Sequence, residues 1–346
     1  MERKIVIGRD LLENAGVLTS RKIKLCKICL VSDETVCRLF GEIVKSSLLG
    51  AGYEVCVFTF PPGERSKNMN TLTSLLEFMA EELMTRSDGI AALGGGVTGD
   101  IAGFAASCYL RGLPYIQIPT TLLAAVDASV GGKTGVNLEG GKNLAGTFWK
   151  PSLVLCDCRV FDTLQRESLL DGVAEIVKYG VVADRGLFES VASSDITTLL
   201  ENDFISQIIQ KCVIIKQDII KGDLRDKGKR QLLNFGHTIG HAIEKLSNYD
   251  VSHGHAVASG MYHISQLSYL AGLSPVDCSV ELGRVLKKYG FSISCDYSSD
   301  AVIDAALADK KRTGDFITLV IPREIGDCRL VKVDMHKFRE IVRKGF

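Results

Sequence analysis

Short apolar runs alternate with helically spaced segments through the first half of the chain. Ile28 to Ser32 reads as a buried strand, and Asp33 to Leu49 follows with apolar positions at the helical period. Tyr53 to Phe60 is the next strand, turned by Pro61-Pro62-Gly63. The pattern then predicts an amphipathic helix over Thr71 to Met84, a strand over Gly89 to Leu93, a glycine turn and a helix over Ile101 to Tyr109. Tyr115 to Ile118 and Leu153 to Asp157 read as two more strands. Strands alternating with helices predict an α/β domain built on a mostly parallel sheet.

The period changes near residues 158–166. Beyond it the spacing is helical over Ser168 to Val182, Phe204 to Ile220, Leu232 to Leu246, Ala256 to Ala271, Glu281 to Tyr289 and Ala301 to Asp309, with one late strand at Phe316 to Ile321. The expected organisation is an α/β domain over 1–163 and a mostly α-helical domain over 164–346. A length of 346 residues suits two such cores.

Charge narrows the partners. Lys+Arg and Asp+Glu each count 41, so there is no basic excess of the kind nucleic acid selects. No apolar run reaches the roughly 20 residues that span a bilayer, and Met1 to Asp10 lacks the pattern of a signal peptide. A cytoplasmic protein with neither a nucleic-acid nor a membrane partner is expected. Eleven scattered cysteines then read as reduced thiols, and the Cys26/Cys29 pair, inside an apolar run with no second CxxC, as buried structural thiols.

Two glycine-rich stretches carry candidate chemistry. Gly94, Gly96 and Gly99 formally match a dinucleotide-binding turn, where a helix N-terminus offers free N–H groups to phosphate. The turn lies far from the N-terminus and no acidic residue ends the next strand. The domain is thus Rossmann-like without the standard fingerprint, and a plain tight connection stays open. Gly131-Gly132-Lys133-Thr134 fails the P-loop pattern, because Asp127 stands where its first glycine is required. Lys133 and Lys142 suit either an anionic ligand or a solvated loop.

Five of the six histidines fall between His237 and His263. His237 and His241 share a helical face, and His253 and His255 follow in a loop entering the next helix. Glu175, in an otherwise apolar helical stretch with Lys178 three residues on, completes a His2Glu set for a divalent metal. Clustering alone leaves hydrogen-bonded structural histidines as an equal reading, which is the one taken for His263 and His336.

The motifs Gly94-Gly95-Gly96-Val97-x-Gly99-Asp100, Tyr109-Leu110-Arg111-Gly112, Pro119-Thr120-Thr121-Leu122-Leu123-Ala124, Val126-Asp127-Ala128-Ser129, Gly131-Gly132-Lys133-Thr134, Gly141-Lys142-Asn143-Leu144, Ala174-Glu175-Ile176-Val177-Lys178 and Asn234-Phe235-Gly236-His237-Thr238-Ile239-Gly240-His241-Ala242 together resemble the 3-dehydroquinate synthase family. The resemblance runs in the family's order from about Pro62 to Gly326. It implies an NAD- and Zn2+-dependent lyase of the shikimate pathway, with Co2+ able to replace zinc. That lyase turns 3-deoxy-D-arabino-heptulosonate 7-phosphate into 3-dehydroquinate and phosphate. The family's cycle oxidises an alcohol transiently, eliminates phosphate, reduces the ketone again and closes a ring by an aldol step.

Carried over by position, the resemblance implies Glu175, His237 and His253 as metal ligands and His241 as a proton relay beside the substrate. It implies substrate contacts from Asp127, Lys133, Asn143, Lys178, Lys216, Arg230, Asn234 and Lys310, with Lys311 a competitor for the last role. Arg111 is expected to reach the phosphate from the second subunit of a homodimer. For NAD it implies Asp33, Glu64, Lys67, Gly94, Gly95, Gly96, Val97, Gly99, Asp100, Thr120, Thr121, Lys133, Lys142 and Thr163. One departure stands out: the family's His-Gly-Glu is His253-Gly254-His255 here, and His255 is expected behind the metal ligands. A related sugar phosphate cyclase shares these motifs. A metal-dependent alcohol dehydrogenase shares the two-domain plan but releases NADH and has no need of the lysine set.

Overall fold

The computed structural model describes residues 4–223, 228–310 and 315–345, with the side chains at 202, 309 and 310 left aside. The chain forms two compact units, Met1–Leu164 and Gln165–Phe346. In the first, six strands pair in parallel: β1 (Ile5–Gly8), β2 (Lys27–Asp33), β3 (Glu54–Phe60), β4 (Gly89–Gly94), β5 (Tyr115–Pro119) and β8 (Leu153–Asp157), in the order β1-β8-β5-β4-β2-β3. The central strands β4 and β5 are buried at every position, which is why they read as unbroken apolar runs. Ile90, Cys29 and Val31 pack with Leu72, Leu75 and Met79 of the Met69–Glu81 helix and Ile101 and Ala105 of the Gly96–Cys108 helix. Each such fully buried side chain contributes about 1.5–3 kcal/mol.

The strand order explains the misplaced fingerprint. The chain runs outward from β2 to β3, then returns to place β4 on the other side of β2 before continuing to β5. The carboxyl ends of β2 and β4 therefore flank the point where the winding reverses, the usual crevice for a ligand in such sheets. Ser32 stands in register with Leu93, so Asp33 and the Gly94-Gly95-Gly96 turn lie at neighbouring strand ends. No acidic residue ends the following strand, but Asp33 ends the neighbouring earlier one.

Four strands escaped the pattern: β1, the antiparallel hairpin of β6 (Lys133–Leu138) and β7 (Gly141–Phe148), and β10 (Asp327–Asp334) in the second unit. Glycine disfavours strand interiors by propensity, yet Gly135 and Gly146 face each other across the hairpin, where a Cβ on Gly135 would meet the Ala145 carbonyl. The glycine-rich stretch, for which a solvated loop was one reading, is thus a paired ribbon. The helix expected from Ile101 starts at Gly96 for a similar reason, since a Cβ at Gly99 would stand 3.0 Å from Gln117 Nε2.

The second unit is built on the Arg166–Ala183 helix, buried on all sides from Val173 to Val182. A helix apolar all round must be enclosed. The Arg185–Ser193, Asn202–Ile220 and His253–Leu270 helices pack against it, together with a hairpin of β9 (Phe316–Glu324) and β10 (Asp327–Asp334). The expected Leu232–Leu246 helix is broken. A 3-10 turn over Lys229–Asn234 gives way at Gly236, whose φ of 78° suits glycine, to a helix over His237–Leu246. All eleven cysteines are free, with Cys29 buried. Among the described residues no helix is long and apolar enough to cross a membrane.

Candidate functional site

In the second unit, small residues let two helices touch. A Cβ at Gly240 would stand 3.0 Å from the Ala256 carbonyl oxygen, and one at Gly260 would lie 2.7 Å from the Gly240 nitrogen and overlap the Gly236 carbonyl. This backbone-level approach sets His237, first residue of its helix, near His253, first residue of the next, with ring centroids 5.4 Å apart. The two histidines expected in a loop are therefore in a helical turn. Asp171, one turn before Glu175, fixes that turn: its Oδ1 accepts from Ser252 Oγ at 2.6 Å and from the Gly254 N–H at 2.7 Å.

Glu175 sits between these rings. His237 Nε2 and His253 Nε2 each lie 3.6 Å from Glu175 Oε1. One donor atom from each of the three residues falls within 4.8 Å of the others. Two imidazoles and one carboxylate, with a donor atom from each brought to one point, suit a divalent ion of zinc's preferences. Glu175 also ion-pairs with Lys178 one turn on, both almost wholly buried. Without a metal, the two imidazoles diverge. Burial, then the Lys178 charge, pushes His237 down to about 3. Burial opposes charge on His253 as well, but hydrogen bonds to Glu175 and Glu244 outweigh it and lift that ring to about 10.

Other residues expected here are spread more widely. Lys216 on the Asn202–Ile220 helix and Arg230 in the 3-10 turn are buried, and both elements pack on the Arg166–Ala183 helix. Asn234 is exposed at the end of that turn. His241 is half-exposed, its ring centroid 5.3 Å from that of His237. The His255 ring rests on Phe291, with centroids 5.0 Å apart, and His255 belongs to neither donor group among the described residues. His263 is buried on its helix and His336 exposed. The Lys310 side chain and Lys311 lie outside the described residues. Glu244 and Asp171 were missed by sequence reasoning. Glu244 was visible as the i+7 partner of His237 on the face that also carries His241, whereas the Asp171 contact depends on a fold no spacing reveals.

In the first unit, Gly94 ends β4 and Gly96 opens the next helix, with Val97, Gly99 and Asp100 in its first turns. The turn lines a pocket with Gln117, Pro119 and Ser129. Gln117 Oε1, Ser129 Oγ and the nearby Thr120 Oγ1 are buried polar atoms with no hydrogen-bond partner in the protein. Such atoms are costly unless a ligand or water meets them, and together with the helix N-terminus they fit a dinucleotide's polar backbone. Asp33 caps its own helix, accepting from the Val36 N–H. Lys67 ties together residues expected in separate roles, pairing with Asp100 at 2.6 Å and donating to Asn143 Oδ1 at 2.6 Å. Asn137, also missed, donates to Glu64 Oε1 and accepts from the Asn143 N–H. Thr121 accepts from the Ala124 N–H, Asp127 is half-buried, and Lys133 and Lys142 are exposed on the hairpin. Thr163 is exposed at the end of another turn and donates to the Val160 carbonyl. Leu110 and Arg111 both take positive φ, and the Arg111 side chain is exposed.

Residues 57–171 match the family model described as 3-dehydroquinate synthase N-terminal, and residues 172–312 the one described as 3-dehydroquinate synthase C-terminal. A 3-dehydroquinate synthase of Lactococcus lactis subsp. cremoris (strain SK11) is 42% identical over 343 residues, 98% of this chain and 96% of that protein. Two solved structures are similar throughout. A 2-epi-5-epi-valiolone synthase of Streptomyces hygroscopicus subsp. jinggangensis 5008, with NAD+ and Zn2+ bound, is 30% identical with a TM-score of 0.88, covering 99% of this chain and 96% of that one. A 2-deoxy-scyllo-inosose synthase complexed with carbaglucose-6-phosphate, NAD+ and Co2+ is 27% identical with a TM-score of 0.87 and the same coverage. The chain belongs to the 3-dehydroquinate synthase family.

Proposed function

We propose that this protein converts 3-deoxy-D-arabino-heptulosonate 7-phosphate into 3-dehydroquinate and phosphate, a lyase step of aromatic amino-acid biosynthesis in the cytoplasm. The observation that carries the reading is the donor set of Glu175, His237 and His253, with the buried cations Lys178, Lys216 and Arg230 on the elements around it. A metal site alone suits many reactions. Lys178, Lys216 and Arg230, on elements that pack together, are side chains of the kind that recognise carboxylate and phosphate.

When bound, the metal would supply Lewis acidity toward a substrate hydroxyl, and NAD would supply a reversible hydride acceptor. Glu175, His237 and His253 hold the metal. His241, half-exposed beside His237, is placed to take or return a proton. Lys178 pairs with Glu175 and, with Lys216 and Arg230, orients the anionic groups of the substrate. In the first unit, the Gly94–Gly96 turn, Asp33, Thr120 and Thr121 bind NAD, while Lys67 holds Asp100 and Asn143 in place. Arg111, held exposed on a strained turn, reaches the substrate phosphate of a second copy in a homodimer.

Related cyclases share the fold, so the substrate decides. Phosphate release from the heptulosonate phosphate, with none from a hexose 6-phosphate, is expected. The reverse preference would overturn the assignment.

A further inference from the structure

Each metal-facing imidazole has its other nitrogen held. His237 Nδ1 lies 3.0 Å from the Phe235 carbonyl, which can only accept, so Nδ1 carries the proton and Nε2 presents its lone pair toward Glu175. His253 is built the same way with a different acceptor: its Nδ1 lies 3.4 Å from Glu244 Oε1, and its Nε2 faces Glu175. Glu244 is buried and projects from the same helical face as His237 and His241. Burying a carboxylate is costly unless it is paired, and its place against His253 Nδ1 gives it that partner.

We infer that Glu244 is a positioning residue that accepts the Nδ1 proton of His253 and so fixes the tautomer and ring orientation with which His253 binds the metal. The inference rests on the assignment of Glu175, His237 and His253 as ligands. Outer partners of metal-bound histidines typically change metal affinity by 10–100-fold when removed. The Phe235 carbonyl belongs to the backbone and no side-chain substitution deletes it. Glu244 is therefore a point at which the metal site can be tuned without touching a ligand.

The test is Co2+ titration of the full-length protein, followed by visible absorption, for wild type, E244A and E244Q, with melting temperatures of the metal-free forms as the folding control. Wild type should bind one equivalent. E244A should bind about 10–100-fold more weakly with an altered Co2+ spectrum. E244Q, whose carboxamide oxygen still accepts from Nδ1, should keep the wild-type spectrum and lie within tenfold of wild type; it decides the matter if E244A does not fold. Wild-type affinity and spectrum in E244A would overturn the inference alone, as would an E244Q spectrum altered like that of E244A. A second Co2+ equivalent that disappears in E244A would overturn it too, by making Glu244 a ligand with His241. A wild-type protein that takes up no Co2+ would overturn the ligand assignment together with it.

Discussion

Lys178→Met should make this protein bind its metal more tightly while it becomes less stable without one. Glu175 and Lys178 are in direct contact with side-chain exposures of 1% and 2%, so the pair is out of reach of solvent. Removing one partner of such a pair costs about 3–5 kcal/mol, mostly from the charge left behind. With a divalent ion on Glu175 the carboxylate keeps a cationic partner. The loss should then fall to about 1–2 kcal/mol, the usual cost of altered packing. By linkage the difference, roughly 2 kcal/mol or more, appears as metal affinity, about thirtyfold tighter at 1.4 kcal/mol per tenfold. Urea unfolding with chelator and with saturating Co2+, plus direct Co2+ titration, measures both sides of this cycle. Equal destabilisation in the two states, or weaker metal binding by the variant, would refute the reasoning. Turnover should fall sharply in either case, since Lys178 is proposed to orient the substrate.

Gly260→Ala places a methyl group against Gly236 and Gly240; it should cost about 1–3 kcal/mol and weaken Co2+ binding by prising His253 from His237. Wild-type Co2+ affinity in a folded variant would count against the close helix contact as the site's foundation. Glu175→Ala and His237→Ala should each strip the metal on dialysis, and full metal content in either would sink the ligand assignment. The His263 imidazole is pushed down from its ordinary 6.5 to about 4 by burial. The folded state therefore refuses a proton that the unfolded chain accepts. Its stabilising effect is complete above about pH 6.5 and is lost as pH falls through about 4. His263→Leu, unfolded by urea between pH 8 and 4, should lose roughly 2–4 kcal/mol less than wild type; an identical pH slope would be the contrary result.

Much of this was legible in the sequence, for reasons that differ by element. The inner strands β4 and β5 declared themselves because both faces are covered, and the Arg166–Ala183 helix because its stretch from Val173 to Val182 is charged only at Glu175 and Lys178, which pair with each other. The hairpin of β6 and β7 did not, since glycines that permit close pairing look like a loop to any propensity argument. The break at Gly236 was hidden for a related reason: the apolar spacing continues through Leu232, Leu233 and Phe235, and only a positive φ reveals the turn. In the site, Glu175, His237 and His253, which the structure brings together, were marked as candidates by type and spacing. Their supports were not, because Asp171 lies 81 residues from Ser252 and Asn137 73 residues from Glu64. The ring contact of His255 with Phe291 was equally hidden, because it too depends on the fold.

The central claim is that a metal held by Glu175, His237 and His253 serves a transient oxidation within a phosphate elimination. Its most direct measurement follows free phosphate and nicotinamide absorbance together in the metal-loaded protein, given NAD and 3-deoxy-D-arabino-heptulosonate 7-phosphate. Phosphate should be released over many turnovers with no net accumulation of NADH. NADH rising in step with substrate consumption, or no phosphate released with metal and NAD both supplied, would contradict it.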